Sequence, residues 1–299
     1  MRTPEAITHQ RDTTEAWASA DGHFGAKGRG QTIYNGPLAP LPLPIPTDTA
    51  AAAKLLHETG AVAFPGVLNP GEIATLRAYM ESQGGPDENY DHPQWCFNKQ
   101  LSAEWHLRPE LLHLVDRQPV LAAARAVLGD DCQVSGGSLW ITGPGREMGL
   151  HVDWQPLRLP ADVAADPRVR VPIFIATAHY YLDDLTLDLG PTTVIPGSHR
   201  AGRPPDDETT WSGQAPQALL VRAGDCVLFR SDLWHGAALN RGPARRYLIQ
   251  VHYQSVFMHQ ASVPAIQTQS WDPRCLALLN PQRRRLFRDH GDHPHRETY

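Results

Sequence analysis

The feature that most constrains the fold is a series of short, β-prone runs between Val134 and Tyr253. Glycine and proline turns separate six runs rich in β-branched and aromatic residues: SGGSLWITG, RVPIFIATAHYYL, GPTTVIPGSH, ALLVRAG, DCVLFR and RRYLIQVHYQSVF. Many short strands with turn signals between them are typical of a sandwich or a barrel. This region therefore predicts a β core.

The region before this core predicts helices. Asp48 or Thr49 can cap a helix over AAAAKLLHE that ends at Gly60, and AVAFPGVL then predicts a short strand. Asn69 and Glu72 have the spacing of a capping box and mark the start of a second helix. We expect a third helical region around RPELLHLVDR and a fourth from Pro119 to Leu128.

The chain is expected to form an arm and one domain. Prolines in GPLAPLPLPIP predict an extended, partly polyproline-like arm over residues 1–47. Residues 48–299 would then be a single domain, with a helical layer at about 48–130, the β core at about 131–258 and a C-terminal helix and tail at 259–299.

Bulk properties exclude several classes of protein. The formal net charge is −5, which gives no general attraction to nucleic acid or anionic membranes. No stretch approaches the ~20 consecutive apolar residues of a membrane helix, and the N-terminus lacks the apolar core of a secretory signal. The four cysteines are widely spread, without a CxxC pair, which argues against a zinc module and a disulfide framework. We therefore expect a cytoplasmic protein.

Two histidines and an aspartate supply the donor set of a metal site. In HVDW, His151 and Asp153 are two residues apart, so in a strand they point to one face. His235, in LWHG, follows the strand-like run CVLFR. Two imidazoles and one carboxylate on one face of a metal leave positions open for a co-substrate and O₂, as Fe(II) oxygenases require. The chain has 15 histidines, so this donor set needs support from other motifs.

Two further motifs give that support. Arg246, in NRGPARRYLIQVHY, follows His235 by eleven residues and enters a strand. An arginine fork can hold a carboxylate in a dry pocket, and the alternative is a solvated basic pair with Arg245. LGPTTVIPGSHR predicts a strand followed by a tight turn.

Four motifs together resemble the phytanoyl-CoA dioxygenase family: HxD, GPTxVIPGSH, LWHG, and an Arg six residues after Asn240. The run KLLHETGAVAFPGVLNPGEIATLR is similar to the start of that family, and the resemblance covers roughly residues 50–255. It implies a mainly β fold with flanking α-helices. The β core would be a double-stranded β-helix (jelly roll), with an N-terminal helical layer beside it.

The resemblance also implies an Fe(II)- and 2-oxoglutarate-dependent dioxygenase of the EC 1.14.11 type, which consumes O₂. His151, Asp153 and His235 would be its metal ligands and catalytic centre. Arg246 would hold the far carboxylate of 2-oxoglutarate, and Thr192 stands where relatives often carry a small residue near that co-substrate. Because a Gly or Ala at position 153 would free a site for a halide, Asp153 favours hydroxylation, desaturation or a related oxidation over halogenation.

Substrate contacts are less constrained by the sequence. Candidates are Trp154, Trp140, His179, Asn98 and Lys99. Packing or a surface role is the alternative for each, because cores absorb many aromatic side chains. We expect His199, in PGSH, to be a structural turn residue. The composition, rich in Ala, Arg and Pro, suggests bacterial specialised metabolism.

Two other functions remain open at this point. The first is a cupin-like metal enzyme that does not use 2-oxoglutarate, for which Arg246 would have no purpose. The second is a non-catalytic jelly-roll binding module, for which three convergent ligands would have no purpose. The expected partner is a small-molecule substrate, with no nucleic acid and no membrane, and the protein would be a monomer or homodimer.

Overall fold

In a computed structural model of the protein, residues 32–84, 99–155, 158–166, 168–258 and 270–288 are described. The helices are α1 (Thr49–Thr59), α2 (Pro70–Gly84), α3 (Val120–Leu128), α4 (Ala161–Ala165), α5 (Pro273–Ala277) and α6 (Pro281–Leu286). The strands are β1 (Ala39–Pro40), β2 (Ala61–Phe64), β3 (Lys99–Ser102), β4 (Gln133–Thr142), β5 (Met148–His151), β6 (Ile175–Tyr181), β7 (Thr192–Val194), β8 (Gln217–Ala218), β9 (Cys226–Arg230), β10 (His235–Ala237) and β11 (Arg246–Gln254). Within those ranges, none of the helices has the length and apolar character needed to cross a membrane.

The predicted ends of the first two helices are confirmed. The Asp48 carboxylate accepts the N–H of Ala51 at 2.8 Å, and Gly60 ends α1 in the left-handed region with φ 87°. The Asn69 side chain accepts the N–H of Glu72 at 3.0 Å, and the Glu72 carboxylate accepts the N–H of Asn69 at 2.9 Å. This reciprocal pair is the capping box that the sequence predicts.

Two helix predictions are wrong in detail. The RPELLHLVDR segment contains one 3₁₀ turn, Leu112–Leu114, instead of an α-helix. Leu111, Leu112, Leu114 and Val115 are buried and Glu110 is exposed, so the segment is amphipathic, but its N–H groups donate to carbonyls three residues back, as from Leu114 to Leu111 at 3.0 Å. The C-terminal part holds two short helices, α5 and α6, where one was expected, because Asn280 caps a new helix just after α5 ends.

Two facing sheets form the predicted jelly roll. One has five strands in the order β1-β8-β7-β10-β5, and the other has six in the order β2-β9-β6-β11-β4-β3. All pairs are antiparallel except β1 with β8. The strands β2 and β3 come from the region predicted as helical layer, yet both belong to the six-stranded sheet. Helices pack on one face of this six-stranded sheet, and the five-stranded sheet packs on the other.

Strand β11 shows how the sequence serves both faces of the six-stranded sheet. Ile249, Val251 and Tyr253 pack into the apolar cluster that contains residues of α1 and α3. Leu248 packs into the cluster between the sheets, and Arg246 and Gln250, on the same side of the strand, point toward it. Because successive side chains alternate, one strand fills a core and lines a site.

The described part of the proline-rich arm, residues 32–47, contributes one edge of the five-stranded sheet and contacts the other. Ala39 and Pro40 form β1, which pairs with β8 at one edge. At the other edge, the N–H of Leu150 in β5 donates to the carbonyl of Thr32 at 3.0 Å. Leu41 and Leu43 pack against the apolar cluster between the sheets. The arm thus runs over the sheet and does not form an inner strand.

Two adjacent glycines of β4 differ in how closely the neighbouring residues pack against them. A Cβ on Gly137 would lie 2.4 Å from the carbonyl oxygen of Gln250 and from a ring carbon of Trp105, whereas a Cβ on Gly136 would meet nothing nearer than 3.9 Å. We predict that Gly137→Ala lowers the free energy of unfolding by about 1–3 kcal/mol. Gly136→Ala, the control, should change it little. Urea unfolding followed by tryptophan fluorescence measures both, and equal midpoints would contradict the close packing at Gly137.

Candidate functional site

The site lies where β5 and β10 pair at the edge of the five-stranded sheet. His151, the last residue of β5, is directly opposite His235, the first residue of β10. Their ring centroids are 4.2 Å apart. Asp153 lies beyond the end of β5, so the strand geometry assumed for His151 and Asp153 applies only to His151. The bend after His151 nevertheless leaves Asp153 beside both imidazoles.

Backbone carbonyls orient both imidazoles. His151 Nδ1 lies 2.9 Å from the carbonyl oxygen of Gly149, and His235 Nδ1 lies 2.9 Å from that of Leu233. A carbonyl can only accept, so Nδ1 carries the proton in each ring and Nε2 faces the site. This is the arrangement by which metal-binding histidines are usually held.

The Asp153 carboxylate is held from behind. Its Oδ2 accepts the hydroxyl of Thr177 at 2.9 Å, and its Oδ1 lies 3.4 Å from His235 Nε2 and 3.9 Å from His151 Nε2. One ligand atom from each of His151, Asp153 and His235 lies within 4.8 Å of the other two. The three side chains can therefore share one metal ion.

The charges of the three groups suit a cation. Burial, and then the neighbouring His235, lowers the pKa of His151 to about 4, so its imidazole is neutral near pH 7. Burial alone would raise the pKa of Asp153, but His235, by its charge and a hydrogen bond, holds that pKa well below its usual range. Burial would lower the pKa of His235, yet Asp153 raises it. A metal ion would displace the proton that this imidazole shares with the carboxylate.

Arg246 is a buried cation that forms no ion pair among the described residues; Asp183, which is paired with Arg77, acts on its charge only from further away. Its side chain is 1% exposed and donates to the carbonyl of Gly190 and to the hydroxyl of Thr142, both neutral acceptors. Its Nε is buried and has no hydrogen-bond partner, and burial lowers its pKa. Among the described residues, no carboxylate lies within ion-pair distance of it. Burying a charge this way is unfavourable unless an anion binds there.

The structure brings three more of the predicted site residues to the space between the sheets. Thr192, Trp140 and His179 are buried and belong to one network of hydrogen bonds, in which Tyr181 and Gln250 complete the connections. The His179 ring centroid is 6.4 Å from that of His235. Burial lowers the pKa of His179 well below its usual value, so the ring is neutral.

The remaining predicted residues are less well connected to the site. Trp154 is half-buried and packs edge-on to Phe174 at 6.3 Å between centroids. Lys99 begins β3, where its backbone pairs with Ile141. Asn98 lies outside the described residues. His199 is a buried turn residue, as expected: Nε2 lies 3.3 Å from the carbonyl oxygen of His57.

The sequence analysis missed three polar residues around Asp153. The hydroxyl of Thr177 contacts Asp153, His252 Nδ1 at 3.0 Å and Ser231 Oγ at 3.2 Å. One signal was present: Thr177, His179 and Tyr181 are the polar members of a buried run with period two. The sequence alone could not predict which residues Thr177 contacts, because that depends on the register between the strands of the sheet.

Solved structures with the same fold include oxygenases. The 2-oxoglutarate-dependent carbocyclase SnoK from nogalamycin biosynthesis aligns with a TM-score of 0.55 and 24% identity, over 70% of this chain and 87% of that one. HygX from Streptomyces hygroscopicus, with nickel and 2-oxoglutarate bound, aligns with a TM-score of 0.56 and 21% identity, over 72% and 90%.

Two fungal proteins are similar in sequence. Dioxygenase af480 of Aspergillus fumigatus is 26% identical over 250 residues, which cover 75% of this chain and 74% of the relative. Dioxygenase cdmA of Talaromyces verruculosus is 27% identical over 222 residues, or 67% and 70% of the two chains. A sequence model of one family, phytanoyl-CoA dioxygenase, matches residues 56–247, more than half of the chain. The chain therefore belongs to the phytanoyl-CoA dioxygenase family.

Proposed function

We propose that the protein is an Fe(II)- and 2-oxoglutarate-dependent dioxygenase that hydroxylates a small molecule. The observation that carries the proposal is the convergence of His151 Nε2, Asp153 Oδ1 and His235 Nε2 in the same intersheet space as Arg246, a buried arginine that forms no ion pair with a described carboxylate. Membership of a dioxygenase family and the similarity to two fungal dioxygenases support it.

The donor set fits Fe(II). Two neutral imidazoles and one carboxylate are the ligands of non-haem iron oxygenases, and they leave open positions for co-substrate and O₂. A structural zinc site would have four protein ligands in a closed tetrahedron. The three side chains found here would hold the iron, with Thr177 fixing the orientation of Asp153 by binding its second oxygen.

The distal side of the site fits a dicarboxylic co-substrate. A 2-oxoglutarate molecule that binds the metal at its keto acid end places a second carboxylate some distance away, where Arg246 would receive it. The guanidinium, unpaired with any described carboxylate, would gain the bidentate partner that its planar fork suits. A cupin-like enzyme without 2-oxoglutarate would gain nothing from burying this cation.

Fe(II) and 2-oxoglutarate would supply an oxidation by O₂, in which 2-oxoglutarate becomes succinate and CO₂ while the substrate is hydroxylated. This chain's residues position the groups and exclude water, because His235 and Arg246 are almost fully buried. Asp153 would supply a carboxylate ligand to the iron, which leaves no place for the halide of a halogenase. These assignments correspond to an EC 1.14.11-type hydroxylase.

The substrate would be a small molecule of bacterial specialised metabolism. HygX has been crystallised with nickel, 2-oxoglutarate and hygromycin B bound, and SnoK belongs to nogalamycin biosynthesis. Trp154, half-buried just after Asp153, would contact such a substrate at the site entrance. Succinate release measured over a panel of candidate compounds would identify those that stimulate turnover.

The metal ligands can be tested one at a time. We predict that His151→Ala or Asp153→Ala abolishes both succinate formation and the weak visible charge-transfer band that an anaerobic Fe(II)–2-oxoglutarate complex gives. His57→Ala, which removes an imidazole from α1 outside the site, should leave the band intact. If the wild-type protein, loaded with Fe(II), shows no such band, the proposed cofactors are wrong.

Two adjacent arginines provide a matched test of the co-substrate site. Arg246→Gln should weaken 2-oxoglutarate binding by at least about 30-fold, because truncating one partner of a buried charge pair costs about 2–5 kcal/mol. Arg245→Gln should have little effect, because that side chain interacts with Tyr247 on the outer side of β11. Anaerobic calorimetry of both Fe(II)-loaded variants gives the affinities. If both variants lost 2-oxoglutarate affinity equally, the far carboxylate of 2-oxoglutarate could not be assigned to Arg246.

A further inference from the structure

A chain of buried hydrogen bonds crosses the inner face of the six-stranded sheet. Trp140 Nε1 donates to Gln250 Oε1 at 2.7 Å, and Gln250 Nε2 lies 2.8 Å from His179 Nε2. His179 Nδ1 lies 3.4 Å from the hydroxyl of Tyr181, which donates to Thr192 Oγ1 at 3.1 Å. All five side chains are less than 9% exposed, so water does not compete for these bonds.

The chemistry of Trp140 determines which atom donates and which accepts in each of these hydrogen bonds. An indole N–H can only donate, so the group of Gln250 that faces it must be the carbonyl oxygen. The amide nitrogen of Gln250 then faces His179, directly opposite it on β6. Since that nitrogen also can only donate, His179 Nε2 must accept, and the proton of the neutral ring is on Nδ1.

The donor and acceptor roles in the next two hydrogen bonds, as far as Thr192, follow in the same way. The protonated His179 Nδ1 points at the Tyr181 oxygen, so the Tyr181 hydroxyl proton is available for Thr192 Oγ1. Thr192 therefore accepts, and its own proton must go elsewhere. Within the described ranges, no acceptor receives that proton. Arg246, whose charge acts on Tyr181, also has a buried donor, Nε, without an acceptor.

We propose that the chain from Trp140 to Tyr181 is a positioning device that locks the Thr192 hydroxyl as a donor to the far carboxylate of the co-substrate, beside Arg246. This inference rests on the proposed function and on the family resemblance, which places Thr192 near 2-oxoglutarate; the new element is the chain of hydrogen bonds that orients the Thr192 hydroxyl. It makes the distal subsite a set of donors only. Such a subsite accepts a carboxylate and disfavours a carboxamide, whose NH₂ group would meet donors on the protein.

Tyr181→Phe tests whether the chain fixes the orientation of the Thr192 hydroxyl. The test compares the binding of two ligands, 2-oxoglutarate and its 5-amide, 2-oxoglutaramate. Without the Tyr181 hydroxyl, Thr192 can rotate and accept a hydrogen bond from the amide. We expect 2-oxoglutarate to bind about 2- to 10-fold more weakly and the preference for carboxylate over amide to narrow by a similar factor. Anaerobic calorimetry of the Fe(II)-loaded protein measures both dissociation constants without turnover.

Tyr180→Phe is the matched control. Tyr180 is adjacent on β6, equally buried, and donates to the carbonyl of Leu114 at 3.0 Å on the opposite face of the sheet. Its loss should lower the melting temperature but leave the ratio of the two dissociation constants unchanged. The same ratio in wild type, Tyr181→Phe and Tyr180→Phe would overturn the inference.

A second pair of variants keeps the proposal testable if Tyr181→Phe does not fold. Thr192→Val preserves the shape of the side chain and removes its hydroxyl, and should bind 2-oxoglutarate about 10- to 100-fold more weakly because a hydrogen bond to a charged group is lost. Thr192→Ser should restore most of the affinity and the selectivity. Equal affinity in the Val and Ser variants would refute the role of the hydroxyl. Absence of 2-oxoglutarate binding by the wild-type protein would instead refute the proposed function.

Discussion

Alternation of side chains along the strands of the six-stranded sheet is the constraint on which the site depends. Both faces of this sheet are buried, so each strand must satisfy two environments at once. In β11, the residues facing α1 and α3 are apolar, whereas Arg246 and Gln250 face the other sheet. In β6, Tyr180 faces the helices, and Thr177, His179 and Tyr181 face the site. A shift of one residue in register would exchange these two sets of side chains.

The polar groups on this inner face are shielded from water, so their interactions with each other are strong. A carboxylate or a guanidinium in such a place needs partners, and a single missing partner is expensive. Asp153 has two imidazoles and the hydroxyl of Thr177. Arg246 has two neutral acceptors and an unsatisfied Nε. Asp153 therefore has partners for both of its oxygens, whereas Arg246 has no described carboxylate partner, which is the pattern expected of a site that binds an anion.

The sequence predicts the local features well and the contacts across strands poorly. The capping box at Asn69, the end of α1 at Gly60 and the runs of the β core follow from short-range chemistry. The position of Asp153 beyond the end of β5, the pairing of Thr177 with Asp153 and the bond between Gln250 and His179 do not. They depend on strand register, which shifts within β11 itself at His252 and Tyr253. The 3₁₀ turn at Leu112 was missed for a different reason, since the apolar spacing of this segment suits an α-helix as well as a 3₁₀ turn.

The arm at the start of the described chain joins parts of the molecule that the site needs to be kept together. Edge strands are the parts of a sheet that open first and that pair most readily with other chains. In the five-stranded sheet, the arm itself forms one edge as β1, and the other edge strand, β5, pairs with Thr32. Because β5 ends at His151, fraying of that edge and loss of a metal ligand would be a single event. The arm would thus couple the lifetime of the site to a stretch of chain, residues 32–47, that contains none of the metal ligands.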